Sequence, residues 1–229
     1  VASLITFYNV NAAARDTSTL TTASFTPANG EVFVVTVATE GSAVPTIGTL
    51  SGGSQTYTMR NNSLVASNCG VAIYTAVVAG SPGAMTVGMT FSGNVGYHSL
   101  TLERYSNASL AATPATNTTE TGTGAPSSTL TTTAANSIVS WVNGDWNAIA
   151  PGTPAYLSSA ISTGVDNRST QFYVGYHAYQ TAGAAGSQTF GMSSPTGQKW
   201  SMVGIEVLDS GGTAAAVLWP RSRGPNYRR

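Results

Sequence analysis

The feature that most constrains this chain is that its strand pattern is written twice. Thr86-Val-Gly-Met-Thr-Phe91 is echoed by Thr189-Phe-Gly-Met-Ser-Ser194. The segment that follows, Tyr97-His-Ser-Leu-Thr-Leu-Glu-Arg-Tyr105, is echoed by Trp200-Ser-Met-Val-Gly-Ile-Glu-Val-Leu208. Earlier in the chain, Pro27-Ala-Asn-Gly-Glu-Val-Phe-Val-Val35 has its counterpart in Ala134-Ala-Asn-Ser-Ile-Val-Ser-Trp-Val142. Aligning like on like places Leu100 on Val203, Leu102 on Ile205, Tyr97 on Trp200, Glu103 on Glu206 and Asn29 on Asn136. Alternating residues of a strand face opposite ways, and a slip of one residue would reverse every one of them. Chance similarity between generic strands is the competing explanation.

Short apolar or alternating runs separated by Gly, Pro, Asn and Ser predict strands near 3–8, 19–25, 31–39, 55–60, 70–78, 84–91 and 96–105. A second set falls near 128–133, 137–143, 154–161, 169–180, 187–192 and 199–208. No segment sustains apolar residues at helical spacing over three turns, so almost no helix is expected. The run over 31–39 is apolar on both faces, which predicts a central strand. The expected fold is all-β: a two-sheet antiparallel sandwich, jelly-roll-like, with an internal duplication. It would occupy residues 1–210, with pseudo-repeats at about 17–105 and 128–208. Residues 106–127, rich in Thr, Ala, Gly and Pro, read either as an interdomain linker or as a long crossover within one sandwich.

Charged residues are only 8% of the 229-residue chain, and the formal net charge is zero. Typical soluble domains carry about 25%. Thr, Ser, Asn and Gly replace the missing charge, and a surface so weakly charged resists association poorly. That suits a subunit packed in an assembly. The neutrality is also unevenly made. Five basic and nine acidic residues precede Gly211, whereas four arginines and no acid follow it.

That last stretch, 211–229, begins with a Gly pair and is too poor in apolar residues to build a core. Its Leu218, Trp219 and Tyr227 are costly to leave in water, and its prolines hold it extended. Together with Arg221, Arg223, Arg228 and Arg229 they have the profile of an arm that docks on a neighbouring protein, aromatic anchors beside guanidinium forks. A disordered tail is the alternative.

The sequence offers little catalytic chemistry. His98 and His177 sit in predicted strands without metal-ligand spacing, and no nucleophile elbow or phosphate loop is present. No cofactor is expected. A glycosidase would need two carboxylates across a cleft. Glu103 and Glu206 are tempting, with Asp145 and Asp166 in predicted loops, but paired positions in a duplicated scaffold arise without any active site. Asn143, Asp145 and Trp146, in a predicted turn, have the composition of a carbohydrate-binding platform, with Tyr57 and Tyr156 as further rings. Trp146 closing the end of the core is the plainer alternative. Only the tail is basic, which argues against nucleic-acid binding. No run approaches the roughly 20 apolar residues of a membrane-spanning helix. The first residues lack the basic region of a signal peptide. One cysteine, Cys69, excludes an intrachain disulfide. Asn61, Asn107, Asn117 and Asn167 begin glycosylation sequons of a kind expected by chance in so Ser/Thr-rich a chain.

The segments Leu20–Val37, Gly70–Val78 and Gln198–Val207 resemble a loose group of β-sandwich virion proteins of tailed bacteriophages and prophages, particularly those of actinobacteria. The resemblance spans most of 17–208 and rests on strand pattern and composition. It implies a non-enzymatic minor tail or capsid-decoration protein, oligomeric in the particle, with other virion proteins as partners. It supplies no catalytic residues, and the 211–229 arm lies outside the shared pattern. A host-surface glycan-binding module of an adhesion apparatus is the alternative function.

Overall fold

In the computed structural model the described residues are 1–40, 47–65, 69–91, 96–117, 120–146, 153–168, 170, 173–196 and 199–211. They contain seventeen strands and no α-helix. In the first half these are β1 (Ser3–Asn11), β2 (Thr19–Thr21), β3 (Val32–Thr39), β4 (Thr49–Ser51), β5 (Thr58–Val65), β6 (Cys69–Val77), β7 (Gly88–Thr90) and β8 (His98–Ser106). The crossover carries β9 (Ala108–Ser109). The second half has β10 (Glu120–Thr123), β11 (Ser127–Thr132), β12 (Ile138–Trp146), β13 (Ala155–Tyr156), β14 (Ile161–Arg168), β15 (Tyr173–Thr181), β16 (Gly186–Ser194) and β17 (Lys199–Asp209).

The chain is an antiparallel β-sandwich, and its connectivity repeats. One large sheet runs β1-β8-β3-β6-β5 and the other β10-β17-β12-β15-β14; the small sheets run β2-β7-β4 and β11-β16-β13. Adding nine to each strand number of the first half therefore reproduces the second. The two large sheets face each other across a central core that includes Val34, Ile73, Tyr105, Val142, Tyr173 and Ile205. Each then carries a small sheet on its outer face. Phe33, Val35, Leu102 and Met89 fill one outer core, and Trp141, Tyr176, Phe190 and Met192 the other. The sandwich is thus four layers deep. A large sheet sandwiched on both sides must be apolar on both faces, which is why all eight residues of β3 are buried. Each fully buried Val, Leu or Phe contributes about 1.5–3 kcal/mol.

Residues 106–127 are a crossover whose chain pairs along β17. Leu208 and Asp209 pair with β9, Thr116 bridges Ile205, and β10 pairs with Lys199–Met202. Short β4, β9 and β10 lie in Thr/Ser/Gly-rich sequence that carries no alternation long enough to announce a strand.

The echo of Gly88 and Met89 in Gly191 and Met192 keeps its register, as the pairs Thr21–Gly88 and Ser127–Gly191 show, whereas the other two echoes differ by one residue from the like-on-like alignment. Gly30 and Asn136 both have positive φ, 81° and 56°, and hold matching turns. Val78 N–H donates to the Glu31 carbonyl, and Ala182 N–H donates to Ser137. Asn adopts the left-handed conformation more readily than other non-glycine residues, so Gly30, not Asn29, is the partner of Asn136. The slip turns the aligned side chains over. Leu100 and Leu102 face the first outer core, whereas Val203 and Ile205 face the central one. Cross-strand pairing of Val34 with Glu103 and of Ser140 with Ile205 matches Glu103 to Ile205, and Arg104 to Glu206.

Three glycines let the large sheets close on one another. A Cβ on Gly144 would stand 2.7 Å from Cys69 Cβ, and one on Gly175 2.7 Å from the Tyr173 hydroxyl and 2.8 Å from Ser99 Oγ. On Gly164 it would meet the Asn9 side chain at 2.2 Å.

Candidate functional site

The arm residues Leu218, Trp219, Arg221, Arg223, Tyr227, Arg228 and Arg229 lie outside the described residues. The Asn143-Asp145-Trp146 set does not form one surface. These residues end strand β12 rather than forming a turn, and strand alternation sends Asn143 and Asp145 to the outer face of the sheet and Trp146 to the central face. Asn143 and Asp145 are fully buried, and half-buried Trp146 packs against the central core. Tyr57 packs in the outer core of the first half and Tyr156 in that of the second, so those rings do not meet either.

Glu103 and Glu206 are neither equivalent nor facing. Glu103 is buried between the large sheets, where its carboxyl meets the hydroxyls of Tyr105 at 2.6 Å, Ser140 at 2.7 Å and Thr163 at 2.7 Å. Burial pushes its pKa up, and the three hydroxyls oppose the rise. Glu206 faces the outer side and accepts from Thr133 N–H (2.8 Å), Thr133 Oγ1 (2.8 Å) and Ala134 N–H (3.2 Å), bracing the turn that precedes β12. Arg104, its structural counterpart, braces the matching turn by a fork onto Glu31 at 2.9 Å. Two halves thus solve one problem, an exposed turn at the mouth of a long strand, with opposite charges.

His177 lies wholly between the large sheets, Nδ1 2.8 Å from Thr36 Oγ1 and Nε2 2.8 Å from Ser99 Oγ. Burial pushes its pKa down to about 3. A neutral ring donates through one nitrogen and accepts through the other, so the pair of hydroxyls satisfies it. His98 is buried against Phe91, with ring centroids 3.8 Å apart. Burial pushes its pKa down to about 4 against the opposing pull of the Gly96 and Thr17 carbonyls and Asp16. His177 is therefore satisfied within the core. Asp166, on β14 rather than in a loop, pairs with Arg168 at 2.9 Å, and burial lifts its pKa to about 6 against that guanidinium. Among the described residues, no three His, Cys, Asp or Glu side chains cluster to hold a metal ion. No helix among them is long and apolar enough to cross a membrane.

One polar cluster had no sequence signal as a group. On the outer face of the second large sheet, Trp141, Asn143 and Asp145 of β12 lie in line, and Tyr176 of β15 is directly opposite Asn143. Asn143 Nδ2 donates to Asp145 Oδ1 at 2.9 Å. Asn143 Oδ1, Asp145 Oδ2, the Tyr176 hydroxyl and Trp141 Nε1 are buried and find no partner among the described residues. Burial raises the pKa of Asp145 to about 7, which Asn143 counters. The Tyr176 hydroxyl is pushed up by burial and by Asp145 nearby. No protein-family model matches the chain, and no curated protein or solved structure matches it.

Proposed function

We propose that this chain is a non-enzymatic structural subunit of a bacteriophage virion, a minor tail or capsid-decoration protein held to a neighbouring virion protein through residues 211–229. One observation carries the reading: apart from Asp145, whose Oδ2 finds no partner among the described residues, the acidic side chains described are engaged in holding the fold. Glu31 and Glu40 fork onto Arg104 and Arg15. Asp16 accepts from Gly96 N–H at 2.9 Å, and Asp209 meets the N-terminal ammonium at 3.4 Å. Glu103, Asp166 and Glu206 are committed to hydroxyls, a guanidinium and a turn. A chain that spends its few charges on internal bracing suits a scaffold whose neutral, hydroxyl-rich surface packs in an assembly. The resemblance to phage virion proteins and the basic, aromatic arm point the same way.

The test is incorporation. In purified particles of the encoding phage, mass spectrometry should find the full chain. A variant lacking 211–229 should be missing from the particles while its circular dichroism and melting stay those of the full chain. Normal incorporation of the shortened chain, or absence of the full chain, would overturn the assignment.

A further inference from the structure

The buried cluster around Asn143 differs from its counterpart in the first half in a way that folding does not require. With Gly30 matched to Asn136, the register places Val35 opposite Trp141, Val37 opposite Asn143 and Thr39 opposite Asp145 in the comparison of halves. The cross-strand pairs Val37–Ala72 and Asn143–Tyr176 then match Ala72 to Tyr176. The first half closes this region with Val35, Val37 and Ala72, all fully buried, while Thr39 Oγ1 satisfies itself on the Gly70 carbonyl at 3.4 Å. The second half instead sets an indole N–H, an amide, a carboxyl and a phenol there, each with a polar atom left without a partner among the described residues. Buried polar atoms are nearly always hydrogen-bonded, and four on one sheet face mark a place where something else completes them.

We propose that Trp141, Asn143, Asp145 and Tyr176 form a binding site for a small, neutral, hydroxyl-bearing molecule. The chemistry of the open atoms selects that class. Trp141 Nε1 can only donate, Asn143 Oδ1 can only accept, and the Tyr176 hydroxyl and the Asp145 carboxyl, whose pKa burial raises to about 7, can do both. A hard cation such as Ca²⁺ or Mg²⁺ takes oxygen ligands and would meet the indole N–H. An anion would find no cation among these four groups. Hydroxyl groups, each donor and acceptor, match the mixed set. The surroundings are aromatic: the Trp141 ring packs beside those of Tyr156 and Phe190, with centroids 5.9 Å and 6.3 Å away. The cluster lies close to the sheet's end, since Asp145 is the penultimate residue of β12 and Tyr156 is only half-buried. This site is independent of the virion assignment and differs from a platform on Trp146, whose ring is on the other face.

The experiment is saturation-transfer-difference NMR on the full chain with glucose, galactose, mannose, rhamnose and N-acetylglucosamine, alongside thermal melting. At least one sugar should saturate. Tyr176→Phe, which removes one oxygen and keeps the ring, and Asn143→Val, which installs the residue of the first half, should each weaken it about tenfold or more. Asn143→Val should also raise the unliganded melting temperature, because a group kept for binding is removed. Failure of every sugar to saturate, or undiminished binding in both variants, would overturn the site. So would a lowered melting temperature in both variants without loss of binding, which would assign the cluster to buried water and folding alone.

Discussion

Removing the Glu103 carboxyl tests how the two halves are held together. Glu103 is fully buried at the contact of the large sheets, and its three hydroxyl partners come from β8, β12 and β14. In Glu103→Ala, three hydroxyls lose their partner. Each orphaned buried group costs about 1–3 kcal/mol, and the lost side-chain volume adds a cavity of order 1 kcal/mol. Release of a buried acid and rotation of the hydroxyls offset part of this, leaving a net loss of about 3–5 kcal/mol. That is a large fraction of the roughly 5–15 kcal/mol that stabilises a typical domain. Glu103→Gln keeps the volume and offers two donors and an acceptor to rotatable hydroxyls, so near pH 5 it should cost about 1 kcal/mol or less. The two substitutions also separate on pH. The folded pKa of Glu103 is raised above the ordinary 4.5, so above that value the native state holds a proton that the unfolded chain releases. The stability this group contributes is complete below 4.5 and is lost as pH rises through the folded pKa. Gln carries no such proton, so the Gln variant should gain on the parent as pH rises above 4.5. Urea unfolding followed by tryptophan fluorescence reads both effects. An Ala variant within about 1 kcal/mol of the parent, or a parent–Gln difference that does not move with pH, would refute the reasoning.

Two further outcomes concern the packing of the large sheets and the buried titratable groups. Gly175→Ala forces a methyl to 2.7 Å from the Tyr173 hydroxyl and 3.1 Å from Ala38 Cβ, and should lower stability by about 1–3 kcal/mol through overpacking; Gly183→Ala, with open space around it, should be neutral in the same thermal melts. The buried histidines and carboxylates pull the pH profile in opposite directions. His177 and His98, at about 3 and about 4 against 6.5, contribute stability that is lost as pH falls below 6.5. Asp145 and Asp166, raised to about 7 and about 6 from 3.8, contribute stability that is lost as pH rises through those values. The parent profile should be shallow between about pH 4 and pH 6, with His177→Gln tilting it toward acid stability and Asp145→Asn the other way; unchanged slopes in both variants would contradict the assignment.

Sequence pattern was enough for the class of fold and for its duplication. Period-two alternation and turn residues marked most long strands, and a run apolar on both faces marked β3 as central, because a strand's burial is written in its own side chains. The missed β4, β9 and β10 owe their pairing to partners remote in sequence, and β14, of which only Ile161 fell in a predicted strand, carries Gly, Asp, Asn and Arg in place of a clear apolar alternation. The like-on-like alignment slipped by one because it matched Asn29 to Asn136 by identity, whereas the turn selects for positive φ, which Gly30 supplies. The candidate site was legible only in fragments. Asn143 and Asp145 were visible as polar residues beside an aromatic one. Alternation in β12 alone would have separated Trp146 from them, had the strand been carried to its end.

By itself, then, the sequence determined that the chain is an antiparallel β-sandwich of two related halves with few charges, because local alternation and composition are properties of the chain. Only the tertiary structure decided which face of each strand turned inward, that two large sheets meet on glycines and buried hydroxyls, and that Tyr176 stands opposite Asn143. Those facts depend on register and layer order, which arise from contacts between residues far apart in sequence, and no strand carries them alone.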